Sequence, residues 1–161
     1  MLLRPATAAD AAATAAIYNH EVTTSTVTFD LVTRSVEEQA EWLSARSGVL
    51  EVVVAEIGGA VAGFASLSPY RDRPAYRTTV EDSIYVHPDH RGQGVGRALL
   101  GEIVEVARRR GFHSVIGRIV GGHTASIQLH ASLGFEQVGV EREVGRKFGT
   151  WLDVVVMQLL L

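Results

Sequence analysis

The sequence predicts a mixed α/β layer fold, on three observations. Short apolar segments with the two-residue period of strands alternate with longer segments of helical period. A glycine-rich turn joins one such strand to a long amphipathic helix. No linker, internal repeat or low-complexity run interrupts the series. At 161 residues the chain suits one domain spanning 1–161, long enough to bury roughly two thirds of the surface its unfolded form exposes.

Taken in order, Leu2 and Leu3 begin a short strand, and Thr7 with Asp10 forms a capping signal for a helix expected to run to about Asn19. Ser35 and Glu38 form a second capping signal, ahead of an amphipathic helix whose apolar face is expected to carry Val36, Ala40 and Leu43. The runs Leu50–Ile57 and Ala60–Leu67, separated by Gly58-Gly59, read as a β-hairpin with a tight turn. Pro69–Arg77 is a loop rich in arginine and tyrosine. Thr79–Val86 alternates Val80, Asp82, Ile84 and Val86 on one face with Glu81, Ser83 and Tyr85 on the other. A long helix follows, with Val95, Ala98, Leu99, Ile103, Val106 and Ala107 at helical spacing, a basic last turn at Arg108-Arg109-Arg110 and a stop at Gly111. The remainder reads as a strand His113–Val120, a short helix Thr124–Leu133 stopped by Gly134, and closing strands Phe135–Val140 and Leu152–Leu160. The last of these is apolar enough to suggest an exposed sheet edge that a second subunit would cover.

Composition narrows the function. Apolar residues make up 47% and charged residues 20%, with a formal net charge of -3, as in a soluble globular protein. No basic excess exists to neutralise phosphates, so nucleic acid is not an expected partner. The absence of cysteine excludes disulfides, a thiol nucleophile and thiolate-bound zinc, and no metal is expected. The alanine-rich stretch Ala8–Ala16 is broken by Asp10 and Thr14, so neither a signal peptide nor a membrane span is expected, and the cytoplasm is the expected location.

The loop Arg91-Gly92-Gln93-Gly94-Val95-Gly96 lies between a strand and a helix. Its glycines let the backbone approach a ligand with free N–H groups aimed at it, which makes an anion site. It lacks the Gly-Lys-Ser/Thr of a P-loop, and the spacing of Gly92, Gly94 and Gly96 is not that of a dinucleotide fold. The loop resembles the Q/R-x-x-G-x-G/A signature of the GNAT superfamily of N-acetyltransferases. Ile84-Tyr85-Val86-His87-Pro88 before it resembles that superfamily's central strand, and Ser126-Ile127-Gln128-Leu129-His130-Ala131-Ser132-Leu133-Gly134-Phe135 its later helix and following strand. The resemblance implies a mixed, mostly antiparallel sheet flanked by helices, with a splayed central strand pair forming a cleft for acetyl-CoA. It implies that Ile84, Tyr85 and Val86 bind the pantetheine arm, and that Arg91, Gly92, Gln93, Gly94, Val95, Gly96 and Arg97 bind the pyrophosphate. Ser126 and the residue three before it belong to the same cofactor site, and there this chain departs from the pattern by carrying His123 in place of asparagine.

Within the superfamily, Tyr18-Asn19-His20-Glu21, Ser25-Thr26-Val27-Thr28-Phe29, Thr79–Val86 and Lys147-Phe148-Gly149-Thr150-Trp151-Leu152-Asp153 resemble the phosphinothricin and methionine sulfoximine acetyltransferases. Acetyl transfer to an amine needs a route for the amine proton, a stabilised oxyanion and a proton for the departing thiolate. Glu81 is the candidate base, either directly or through water. His130 is the candidate acid for the thiolate or a second base, imidazole being able to move a proton near neutral pH. A backbone N–H near Val86 is the oxyanion donor that the resemblance implies. Arg71, Arg73 and Arg77 run directly into the strand bearing Glu81, and guanidinium forks suit carboxylate or phosphinate oxygens. The branch resemblance accordingly places Arg71, Asp72 and Arg73, with Glu81, Asp82 and Ser83, around a small anionic amino acid, and Phe29 and Tyr70 are separate candidates for apolar walls or a lid. Trp151 and Asp153 read as structural. Two rivals stand beside this reading. One is an acetyltransferase for a protein N-terminus, polyamine or aminoglycoside, and the other is a catalytically silent CoA-binding module. A homodimer is the expected assembly.

Overall fold

The computed structural model describes residues 1–46 and 48–161. Seven strands form one sheet: β1 (Leu2–Pro5), β2 (Val52–Ile57), β3 (Ala60–Pro69), β4 (Thr79–Val86), β5 (Ser114–Val120), β6 (Glu136–Lys147) and β7 (Thr150–Leu160). Their order is β1-β2-β3-β4-β5-β7-β6, and every neighbouring pair is antiparallel except β4 with β5. Four helices are described: α1 (Ala11–Thr24), α2 (Val36–Ala45), α3 (Val95–Arg109) and α4 (Thr124–Ala131). The one parallel pair needs a crossover, and α3 supplies it.

Strand alternation divides the core in two. Val53, Ala55, Leu67, Val80 and Val115 pack under Leu99, Leu100, Ile103 and Val106 of α3. Val52, Val54 and Phe64 pack on the other face, against Ile17, Tyr18 and Val22 of α1 and Leu43 of α2. The sheet is thus covered on both sides. The strand between the two apolar layers is therefore the place where a ligand can be held with little exposure to water.

The local expectations hold with three corrections. The first capping signal opens a 3₁₀ turn at Ala8–Asp10, where the Asp10 carboxylate accepts from the Thr7 N–H at 2.8 Å, and α1 then continues to Thr24, well past Asn19. Thr23 and Thr24 are tolerated there because their hydroxyls bond back to the Asn19 and His20 carbonyls. In α2 the Ser35–Glu38 capping box forms, but Val36 is exposed and the buried neighbour of Leu43 is Gln39, whose amide reaches the Thr14 hydroxyl at 3.2 Å. The third correction concerns the sheet edge. β7 lies between β5 and β6, so its apolar run is buried on two sides, and the edge strand is β6, which extends to Lys147. Its extra residues form a bulge between Glu141 and Gly145, held by the Glu143 N–H donating to Asp153 Oδ1 at 2.7 Å. That bond is the structural role of Asp153.

The Gly58-Gly59 turn carries positive φ at both residues, as a two-residue hairpin requires. A bulge after Ala55 then brings Gly63 under the end of β4. A Cβ on Gly63 would stand 2.7 Å from the Tyr85 carbonyl oxygen and 3.3 Å from Val86 Cα. Both contacts are backbone, so Gly63→Ala is expected to cost about 1–3 kcal/mol as β3 and β4 are pushed apart. A urea midpoint unchanged from the parent would contradict this.

Candidate active site

β4 and β5 pair only from Thr79↔Ser114 to Asp82↔Gly117. Beyond Asp82 they separate, since β4 stays with β3 through Val86 while β5 stays with β7 through Val120. The backbone of Ser83–Val86 that faces β5 is left without a ladder partner there. Two adjoining cavities occupy the opening. The larger, about 780 Å³, runs from Ile84, Tyr85 and Val86 past Arg91, Gly92, Gly94, Val95 and Gly96 to His123 and Ser126 on α4. The smaller, about 80 Å³, lies at the apex of the splay between Asp82, Ser83, Arg118, His123, Ser126 and His130.

The larger cavity ends at the start of α3. Gly92 and Gly94 adopt φ of 71° and 82°, and Gly94 is the N-cap of the helix, so the unpaired N–H groups of its first turn open into the cavity. Helix dipole and oriented amides together favour an anion there. Arg91 adds a cation, pairing with Glu21 of α1 and donating to the Val86 carbonyl at 3.4 Å. Arg97 is turned away from the cleft and donates to Ser132 Oγ at 2.7 Å, and Gln93 bonds the Asp89 carbonyl. Gly96 is packed closely against α4, since a Cβ there would stand 3.3 Å from the Leu129 side chain, which would have to give by a few tenths of an ångström.

At the apex, His130 and Asp82 form a buried pair, Nε2 to Oδ2 at 3.1 Å, with both side chains almost fully enclosed. His130 Nδ1 lies 2.8 Å from the Ser126 carbonyl, which can only accept, so that nitrogen carries a proton. Burial alone would lower the pKa of this imidazole, but the Asp82 carboxylate and the Ser126 carbonyl outweigh it, and the net direction is upward. Gly117 makes this packing possible, because a Cβ there would stand 2.9 Å from the His130 ring. Asp82 Oδ1 is buried and has no hydrogen-bond partner among the described residues.

Glu81 lies on the opposite face of β4 from Asp82, half-buried between Ser68 and Ile116 in the neighbouring strands. Burial raises its pKa, Arg118 opposes that, and Asp82 and Glu141 reinforce it. No ion pair joins Glu81 to an arginine among the described residues. Arg118 itself is held by Glu141 of β6.

The structure therefore brings together Ile84, Tyr85, Val86, Arg91, Gly92, Gly94, Val95, Gly96, His123 and Ser126 along the larger cavity, and Asp82, Ser83 and His130 at its apex. It does not bring the arginine loop to either cavity. Arg71, Asp72 and Arg73 are exposed, and the Arg71 guanidinium lies over the Tyr70 ring, 5.0 Å from its centre. The Phe29 ring instead packs against Gly145 of β6. Glu21, Arg118 and the Gly121-Gly122 turn also line the site, although the sequence motifs give them no role. Arg118 was detectable as the only charge in the apolar run Ser114–Val120. His123 occupies the N-cap of α4 without a capping hydrogen bond, and the crowding of the cleft walls lowers its pKa.

A splayed parallel strand pair above an anion cradle defines a class of acyl-transfer enzyme, and the chain belongs to the acetyltransferase (GNAT) family, whose profile matches residues 14–135. It is 42% identical to the L-methionine sulfoximine/L-methionine sulfone acetyltransferase of Salmonella typhimurium, over 100% of this chain and 95% of that one. Among solved structures, a phosphinothricin acetyltransferase from Sinorhizobium meliloti in complex with acetyl-CoA superimposes with a TM-score of 0.95 at 42% identity, covering 99% of this chain and 88% of the other. A ribosomal-protein-alanine N-acetyltransferase from Brucella melitensis superimposes with a TM-score of 0.98, also at 42% identity, with both chains covered completely. The protein is an acetyltransferase with the GNAT fold, as the motifs led one to expect.

Proposed function

We propose that the protein transfers the acetyl group of acetyl-CoA to the amino group of a small anionic amino acid or analogue of the methionine sulfoximine or phosphinothricin type. The observation that carries this reading is the meeting of the two cavities along Ile84, Tyr85, His123 and Ser126, with an anion cradle at one end and the buried His130–Asp82 pair and Arg118 at the other. The names of the relatives support the same acceptor class. Acetyl-CoA fits the residues present: the Gly92–Gly96 amides and Arg91 would hold its diphosphate, and the unpaired backbone of Ser83–Val86 would pair with its amide-bearing arm. The thioester supplies an activated acetyl group.

This chain's residues supply the rest. Glu81 receives the amine proton, directly or through one water, and its raised pKa suits that task. His130 Nδ1 carries a proton toward the Ser126 carbonyl, and the Asp82 carboxylate at Nε2 raises the pKa of the ring, so the imidazole serves as the proton source for the thiolate. Arg118, held by Glu141 and lining the smaller cavity, offers a guanidinium to an acceptor carboxylate.

A thiol-release assay with acetyl-CoA and a panel of amines tests the reading. Turnover of methionine sulfoximine, methionine sulfone or phosphinothricin above that of polyamines and alanine-ended peptides is expected. The peptide arm covers the acceptor named for the Brucella melitensis structure. Turnover of peptides or polyamines alone would overturn the acceptor class, and no turnover with any amine would leave a CoA-binding module.

A homodimer belongs to the same proposal. The β6 edge exposes Val138, Val140 and Val144, with Trp151 exposed beside them, an apolar margin that a second copy would cover. A cytoplasmic location is part of the reading too, resting on the need for a metabolic thioester as donor. No helix among the described residues is long and apolar enough to cross a membrane.

A further inference from the structure

We propose that Glu21 is an internal counter-anion that competes with the CoA diphosphate for Arg91, and so sets how tightly the protein holds CoA and acetyl-CoA. The proposal rests on the reading of the glycine cradle as the CoA site.

Glu21 sits near the end of α1, only 5% exposed, and lines the same cavity as Gly92, Gly94 and Gly96. A buried carboxylate beside an anion cradle repels the ligand for which that cradle is built. It is tolerated because it has its own cation, Arg91, which immediately precedes the cradle. Its other oxygen accepts from Ser25 Oγ at 2.5 Å, which fixes the carboxylate toward the loop.

The other basic groups nearby do not replace Arg91. Lys147 Nζ is committed to the backbone carbonyls of Thr28, at 2.8 Å, and Glu21 itself, at 3.5 Å. His123, across the cleft, has its pKa lowered by crowding and is mainly neutral near pH 7. The Arg91 side chain is half exposed and donates only weakly to the Val86 carbonyl, so it can turn from Glu21 to a phosphate without breaking packing. In the free protein the ion pair holds Arg91 ready. On binding, the diphosphate takes the guanidinium and Glu21 falls back on Ser25. On release, Glu21 recaptures Arg91 and favours departure of CoA.

The test is calorimetric binding of CoA and acetyl-CoA to the full-length protein. Glu21→Gln keeps the shape and the Ser25 hydrogen bond but removes the charge, and is expected to tighten binding about three- to tenfold, the range of one charge-assisted contact. The KM for acetyl-CoA should fall in parallel while kcat does not rise, a split that mere damage to packing would not produce. In an Arg91→Gln background the same change should give no gain, because the cation competed for is gone. Glu21→Ala, with a thermal melt of each variant, guards against misfolding of the first. Unchanged or weaker binding in both Glu21 variants with native-like melts overturns the proposal, as does an equal gain without Arg91. Failure of the unmodified protein to bind CoA would instead remove the cofactor reading, and the proposal with it.

Discussion

Glu81→Gln is expected to lower kcat by roughly 10²- to 10³-fold, the contribution of a positioned general base, while leaving the dissociation constant of acetyl-CoA unchanged. Glu81 lines neither part of the cleft attributed to the cosubstrate, and lies across β4 from Asp82, so losing its charge removes a proton acceptor without disturbing the cradle. Burial raises its pKa, so the acid limb of kcat/KM should lie above the ordinary glutamate value of about 4.3. Activity is then lost as pH falls through that raised value, because the protonated carboxyl cannot accept. Arg118 opposes the shift, so Arg118→Met should move the acid limb further toward neutrality as well as weakening an anionic acceptor. Turnover of Glu81→Gln equal to the parent would remove Glu81 from the mechanism. An acid limb unmoved in Arg118→Met would separate the two groups.

The second large effect is on stability. Asp82→Ala should cost about 3–5 kcal/mol at mildly acidic pH, because it leaves a buried imidazolium with only the Ser126 carbonyl as partner. The pH dependence has a definite sign. The folded-state pKa of His130 is raised, so the stability due to the pair is fully present below the unfolded value of 6.5 and is lost as pH rises through the folded value. The gap between parent and variant should therefore be widest below the unfolded value of 6.5 and narrow as pH rises through the raised folded value, where His130 becomes neutral in the parent too. Urea midpoints measured as a function of pH from mildly acidic to alkaline check it. A gap that does not change with pH would mean that Asp82 contributes packing alone. Loss of turnover should accompany loss of stability, since without Asp82 the imidazole is no longer held as a proton donor.

Much of this was legible because it depends on near neighbours in the chain. The Thr79–Val86 alternation assigned Asp82 and Glu81 to opposite faces before any partner was known, and the structure puts His130 beneath one and Arg118 near the other. The cradle at Gly92–Gly96 was equally plain, since a left-handed N-cap before a long helix needs glycine at that point. Partners distant in sequence were not legible. Nothing local tells Glu21 that Arg91 faces it across 70 positions, nor Lys147 that the Thr28 carbonyl receives its ammonium. The arginine loop illustrates the same limit in reverse. Its closeness in sequence to Glu81 suggested a cationic wall, yet the nearest cation lining the cleft is Arg118, brought in by the parallel pairing of β4 with β5.

The class of fold, the glycine turn ahead of α3 and membership of the acetyltransferase family were all readable in the sequence, because periodicity, glycine conformation and motif spacing are properties of contiguous chain. Tertiary structure decided which strand is the edge, since β7's apolar run is equally consistent with burial on two sides or cover by a partner, and only strand order separates these. It also decided the state of His130. A histidine in a helix can be acid, base or packing. The Ser126 carbonyl on one nitrogen and the carboxylate of Asp82, 48 positions from His130 in the chain, on the other commit it to holding a proton.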